Sequence, residues 1–451
     1  MSNIRAFLMN SLLLLSLFAI TNFLTAQSFF KEAFLDTNEI NTIFHNRGGM
    51  EGSGILEGLV WPSSGDSLAY ILNLGILIGG EVLSALGDTN HIISDGFLRS
   101  IDGDFEPGTT NPWGWLALPG YDNPNGNSVA LSDDPTTWPP NWQSWPGKFG
   151  SGILRADLET YWVMNDSSNA EFPYYPLIND SSFRGLGLEV SCRGYQWDDP
   201  QYEDFIIFTY DIKNVSDKPL NKLVVGFFSD PIIGGENDFA DDMAGYDLLE
   251  DLVFCWDDDG VGSGGIIPGI LGFLTLESPN DSGLTSVRTV LFGGNNRPKN
   301  DELMWNYMTP GNTNILAQPA YYVLIFGSGY FSLDIGETKS YAIACVLGVD
   351  STDLYQNVAE ARNAYSIITD VKDVPKPQLP GEVFLFRNYP NPFNPATNLQ
   401  FRIPQKRDRG DVGFVELKIF DLLGKEVKTL MNKPLAPGSY KVQWDGRDNT
   451  G

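Results

Sequence analysis

A chain of 451 residues with 42% hydrophobic and 19% charged content is long enough to bury a large core and too apolar to be disordered. Its 47 glycines, 28 prolines and 13% aromatic residues favour many short strands and turns over helices. A formal net charge of −28 would repel phosphates and argues against a nucleic-acid partner; it suits divalent cations, or serves solubility alone.

Met1 to Ala26 reads as a secretory signal peptide. Arg5 supplies the basic end, Leu12 to Leu24 the apolar run, and Ala26 a small residue before Gln27. An uncleaved membrane anchor is the weaker alternative, because Thr21 and Asn22 interrupt a run already short of the ~20 residues a span needs. No transmembrane segment is then expected after cleavage. An export compartment permits a disulfide among Cys192, Cys255 and Cys345, but the odd number and the strand-like surroundings predict three buried small hydrophobes instead.

Residues 27–373 read as an acidic β-rich region of one or two subdomains. The apolar run from Tyr70 to Gly80 is a buried strand. Leu186, Leu188 and Val190 alternate with Gly185, Gly187 and Glu189, and further strands follow at Phe205 to Ile212, Leu223 to Phe228, Leu252 to Cys255 and Tyr341 to Leu347. Strands of this length between polar turns predict a large antiparallel β-sandwich. Ser351 is predicted to cap the only helix, whose apolar stripe of Leu354, Val358, Ala361, Tyr365 and Ile368 packs on a sheet face.

Two segments carry candidate chemistry. Between Asp95 and Trp162 lie six of the 11 tryptophans, spaced by prolines, which predicts an irregular segment. Trp113, Trp115, Trp138, Trp142 and Trp145 form a candidate platform on which sugar rings would stack; the competing reading makes them core residues that close a long loop onto a sheet. Asp102, Asp104 and Glu106 add carboxylates beside it. The second segment is acidic. Asp230, Asp238, Asp241 and Asp242 precede a short strand, and Asp257, Asp258 and Asp259 follow it. Two acidic loops flanking one strand can converge at one end of a sheet, and clustered carboxylates with glycine bends suit calcium, which takes six to eight oxygens. Asx-turns capping strands are the competing reading of the same residues. The register is not that of an EF-hand, because position 255 is Cys.

Other motifs are weak or missing. Gly260 to Gly265 matches G-x-G-x-x-G, but no βαβ pattern surrounds it and three aspartates precede it. There is no HExxH, no G-x-S-x-G and no Walker loop, and the two histidines, His45 and His91, stand in separate segments. Paired carboxylates for glycoside chemistry are not excluded by number; Glu159, Glu189, Glu203 and Asp204 sit near aromatics or strands.

The last stretch differs in charge: from Lys376 onward 12 basic residues face 8 acidic ones, so the acidic excess lies in the preceding residues. Six prolines between Pro375 and Pro395 impose an extended lead-in, with a linker over 374–384 and a small β-domain over 385–451. Val415, Leu417 and Ile419 alternate with Glu416 and Lys418, and Tyr440, Val442 and Trp444 alternate again before an Asp-Gly turn. The motifs Tyr389-Pro390-Asn391-Pro392-Phe393-Asn394-Pro395 and Trp444-Asp445-Gly446-Arg447-Asp448, in this order and spacing, resemble the C-terminal sorting domain of proteins exported by the type IX secretion system of Bacteroidetes-like bacteria. They also resemble the related immunoglobulin-like domain of flagellar hook-capping proteins. The resemblance covers the final stretch alone. It implies a small Ig-like β-sandwich, a partner in type IX-like secretion machinery, and a location outside the outer membrane. In the family, strands that carry the sorting signal follow the second motif; here the sequence stops at Gly451, which implies an incomplete, truncated sorting unit.

The expectation is therefore a mainly β protein, secreted and attached to the outer cell surface. It would serve as a binding or structural protein, calcium-stabilised and meeting a glycan or a surface partner. The alternative is an extracellular hydrolase acting on polysaccharide through paired carboxylates.

Overall fold

The computed structural model describes residues 29–51, 58–63, 65–97, 105–109, 113–235, 237–293, 298 and 300–369, and then 384–385, 397–403, 413–420, 425–435 and 438–448. The signal-peptide reading, Asp102, Asp104 and the motif Tyr389 to Pro395 lie outside the described residues. The chain divides into two compact units, residues 1–370 and 371–451.

The first unit is a β-sandwich with a helix on each outer face. One sheet runs, in spatial order, Glu32–Leu35, Asn41–His45, Gly49–Met50, Leu68–Leu83, Leu220–Pro231, Tyr322–Leu333, Ser286–Leu291 and Thr313–Asn314, with Leu59–Trp61 and Thr89–Ser94 pairing beside this path. The other runs Asp242–Asp247, Leu252–Asp257, Ile270–Glu277, Thr338–Gly348, Phe205–Asn214, Leu188–Gln196, Leu158–Asn165 and Leu116–Ala117, with Ala130–Leu131 pairing Leu158–Asn165. Pairing is antiparallel except between Ser286–Leu291 and Thr313–Asn314. The inner faces meet through large rings: Phe227 lies 5.8 Å from Tyr210 and 6.1 Å from Tyr341, and Phe273 lies 5.0 Å from Phe326.

The central strands are apolar on both faces because each outer face is covered by a helix. In Phe205–Asn214 the residues Ile206, Phe208, Tyr210 and Ile212 face the sandwich interior. Phe205 and Ile207 face the other way, against helix α2, Ser351–Thr369. This is why the run Phe205-Ile206-Ile207-Phe208 does not alternate in sequence: a sheet buried on both sides gains from apolar residues on both. Leu220–Pro231 behaves likewise, with Leu223, Val225 and Phe227 inward and Val224 and Phe228 against Met304, Trp305 and Met308 of helix α1, Asp301–Met308.

Two expectations about helices are corrected. Two helices stand among the described residues; α1 spans only eight residues, too short for a periodic stripe to show. The cap of α2 is Asp350, not Ser351. Its Oδ1 accepts from Thr352 N at 2.8 Å and Asp353 N at 3.0 Å, satisfying two of the orphan donors at a helix start. The predicted stripe is the buried face: Leu354, Val358, Ala361 and Ile368 are buried, with Tyr365 packed beside them. The three cysteines are free and buried, each on its own strand.

The second unit contains a three-stranded sheet, Phe384–Leu385, Thr397–Ile403 and Gly438–Trp444, and a hairpin of Gly413–Phe420 with Glu426–Leu435. Leu399, Phe401, Leu417 and Leu435 form its core, with Val415, Ile419, Tyr440, Val442 and Trp444 packed against them. The apolar faces predicted from alternation are the faces that pack.

Candidate functional site

The acidic residues around strand Leu252–Asp257 are assembled by a hairpin. Asp242–Asp247 pairs with Leu252–Asp257 so that Asp242 lies opposite Asp257, and directly opposed residues project from the same face. The connection from Pro231 enters over Gly234 and Gly235, both with left-handed φ of +85° and +95°. A tight reversal of this kind is accessible to glycine and costs other residues. It brings Asp238 back over the hairpin end. Asp238, Asp241 and Asp257 each place a carboxylate oxygen within 4.8 Å of the others.

Each carboxylate is held by one oxygen or left open. Asp257 Oδ1 accepts from the backbone N–H groups of Gly260 and Val261, leaving its Oδ2 buried without a hydrogen-bond partner. Asp242 Oδ2 accepts from Ile233 N at 3.0 Å, and its Oδ1 is likewise buried and unpartnered. Asp238 Oδ2 has no partner either. Burial, and then the neighbouring aspartates, push the carboxyls of Asp238 and Asp257 up from their ordinary range and that of Asp242 up to about 9. Asp258 and Asp259 are exposed, and Asp259 Oδ1 accepts from Val261 N at 2.8 Å. Of the six aspartates predicted as metal-ligating, three converge, Asp242 stands behind them, and Asp258 and Asp259 turn outward to make the loop. The missing signal in the sequence was Gly234. A Cβ there would lie 2.8 Å from Asp238 Oδ2 and 3.2 Å from Asp257 Oδ2, so the absent side chain leaves the space between these two oxygens.

The tryptophan segment divides differently. Trp115 is buried, and its Nε1 donates to Ile76 O at 3.4 Å. Trp145 is buried, and its Nε1 donates to Glu159 Oε2 at 2.7 Å. Neither presents a face to solvent, so the platform reading is corrected for these two. A buried indole still needs a partner for its N–H, and both have one. Trp138 donates to Leu131 O at 2.6 Å and meets Trp145 and Trp142 at 5.8 and 6.5 Å. Trp142 stacks on Tyr161 at 6.1 Å, and Arg193 lies 4.0 Å over the same ring. Trp138 and Trp142 remain half-buried, as does Trp113.

Two of the four carboxylates that could serve glycoside chemistry, Glu159 beside this cluster and Asp204 beside Trp61, are engaged in structure. Glu159 accepts from Trp145 on one oxygen and from Arg155 N at 2.6 Å on the other, and burial pushes its carboxyl up despite both bonds. Asp204 accepts from Trp61 Nε1 at 2.8 Å, and burial pushes it up to about 6. His45 is buried, and His91 stacks on Trp305 at 4.3 Å between Glu81 and Glu302.

In the second unit, Trp444 Nε1 donates to Arg447 O at 2.9 Å and Arg447 N to Asp445 Oδ1 at 3.2 Å. Gly446 takes φ of 77°, and Lys428 Nζ donates to Asp448 O at 3.1 Å. The four residues Trp444 to Arg447 thus close a turn on themselves, and Lys428 ties Asp448 beside it.

No family model matches this chain, and no curated protein matches it. Among solved structures it aligns with a polysaccharide lyase at 11% identity and a TM-score of 0.24, over 77% of this chain and 42% of that one. The chain thus spans less than half the length of that protein, and a likeness of this size carries no argument about activity. No helix among the described residues is long and apolar enough to cross a membrane.

Proposed function

We propose that this protein is exported by a type IX-like route and held at the outer cell surface as a binding or structural protein. Residues 371–451 belong to the sorting unit, whose signal strands in the resembling family follow the second motif, and the acidic sandwich is the cargo. The observation that carries this reading is the second unit: a separate β unit in which Trp444, Asp445, Gly446 and Arg447, from one of the two motifs that carry the resemblance, close one hydrogen-bonded turn. A turn closed by its own side-chain-to-backbone hydrogen bonds is a self-contained feature that an export machine could recognise on any cargo. The sandwich supports the binding or structural half, since Glu159, the buried carboxylate beside its tryptophan cluster, serves as hydrogen-bond acceptor for the Trp145 indole and the Arg155 backbone N–H.

The test is fractionation of the native host with surface proteolysis, comparing the full chain with one lacking residues 371–451. The full chain is expected at the surface and the shortened one inside the outer membrane. Surface display of both would overturn the sorting role. Release of reducing ends by the full chain from any of a panel of insoluble polysaccharides would overturn the non-enzymic half and favour a hydrolase.

A further inference from the structure

We infer that Asp238, Asp241 and Asp257 form a calcium site that clamps the connection between the two sheets of the sandwich. The chain crosses here from Leu220–Pro231 of one sheet to Asp242–Asp247 at the edge of the other. The crossing segment is tethered by single hydrogen bonds: Ile232 N donates to Tyr70 O at 3.0 Å, Ile233 N to Asp242 Oδ2 at 3.0 Å, Ser263 N to Gly234 O at 2.7 Å, Asn237 N to Ser263 Oγ at 3.4 Å and Asp258 N to Asp241 O at 3.3 Å. Asp238 sits on this segment, Asp241 at its end, and Asp257 on the loop-ward end of the facing strand. One ion bound to all three would tie segment, edge strand and following loop together.

Two observations beyond the cluster itself point to a cation. Asp257 is 7% exposed and Asp242 1% exposed, yet each keeps a buried oxygen without a hydrogen-bond partner. Buried polar atoms in native proteins are almost always paired, and a buried carboxylate oxygen left without a partner is costly. The open oxygens of Asp257 and Asp238 also point at one place, the space beside Gly234 that any side chain would fill. Among the described residues, no lysine, arginine or histidine forms an ion pair with these aspartates. An all-oxygen donor set on glycine-rich loops suits calcium, which accepts irregular geometry. It suits magnesium less, which demands a near-ideal octahedron, and zinc less again, which favours nitrogen and sulfur.

The experiment is calorimetric titration of the chelator-stripped full chain with calcium chloride, alongside thermal melts with calcium and with chelator. Saturable binding at one site and a higher melting temperature in calcium are expected. Asp241→Asn, at a partly exposed position, and the pair Asp238→Asn with Asp257→Asn should abolish both effects. Asp242→Asn, which alters the charge behind the three ligands, should weaken binding about 10–100-fold, as changes to groups that support a metal's ligands do. Asp259→Asn should leave binding unchanged. Absence of binding heat with an unmoved melt would overturn the inference, as would wild-type affinity in Asp241→Asn and in the double variant. Affinity lost equally in Asp259→Asn would overturn the assignment of ligands.

Discussion

Asp166 offers a test of how burial and hydrogen bonding compete in this sandwich. It follows strand Leu158–Asn165 and is fully buried. Its Oδ2 accepts from Leu186 N at 2.6 Å and its Oδ1 from Leu188 N at 2.9 Å, so one carboxyl fixes the start of the next strand, Leu188–Gln196. Gly185, with φ of +68°, lies so close that a Cβ there would come within 2.6 Å of Asp166 Cγ. Burial pushes the carboxyl from 3.8 up to about 7, and the backbone N–H groups pull it only partway back. The folded state therefore holds this proton more tightly than the unfolded chain. The resulting stability is fully present below the unfolded value and is lost as pH rises through the folded one. At about 1.4 kcal/mol for each tenfold change in proton affinity, the gap from 3.8 to about 7 corresponds to about 4 kcal/mol as an upper bound. The assay is urea unfolding of the wild type and Asp166→Asn, followed by tryptophan fluorescence between about pH 4 and pH 8. Because asparagine does not titrate, the difference between the two proteins isolates this carboxyl from every other acid in the chain. The stability of the wild type relative to the variant is expected to fall by up to about 4 kcal/mol across that range. A difference that stays level or grows with pH would refute the reasoning. It would mean that the two N–H donors outweigh burial and that Asp166 is a permanent carboxylate.

Three further outcomes are expected. Phe227→Ala, which empties the ring contact with Tyr210, Phe326 and Tyr341, should cost about 3–5 kcal/mol in urea unfolding; a loss under about 1 kcal/mol would mean that the sheets close over the gap. Trp145→Phe keeps most of the ring but leaves Glu159 Oε2 without its indole donor, and should cost about 1–3 kcal/mol, whereas an unchanged midpoint would place that bond in solvent. Asp350→Ala removes the two cap bonds of α2 and should cost about 0.5–2 kcal/mol, read as a lower melting temperature, with Asp350→Asn recovering most of it.

The sequence by itself determined the class of fold and the faces of its elements. Turn residues at short intervals and apolar runs of strand length allow little besides sheets, and the stripe from Leu354 to Ile368 marked the buried face of α2 before any coordinates. The free cysteines followed from the same logic, since each lies in an apolar strand context. Local pattern failed where an element is short or where a residue's fate depends on a distant partner. Helix α1 has only eight residues and is held by Leu77, Ile93 and Phe228 from strands far away in the chain. Tertiary structure alone separated Trp145, buried on Glu159, from Trp142, half-exposed on Tyr161, although only two residues lie between them and both belong to the same proline-rich segment. It alone divided the acidic residues too. Asp257 and Asp258 are neighbours, but strand alternation turns the first inward opposite Asp242 and the second to solvent. Composition placed the carboxylates near one another; only the register of one hairpin and the missing side chain at Gly234 decided which oxygens meet.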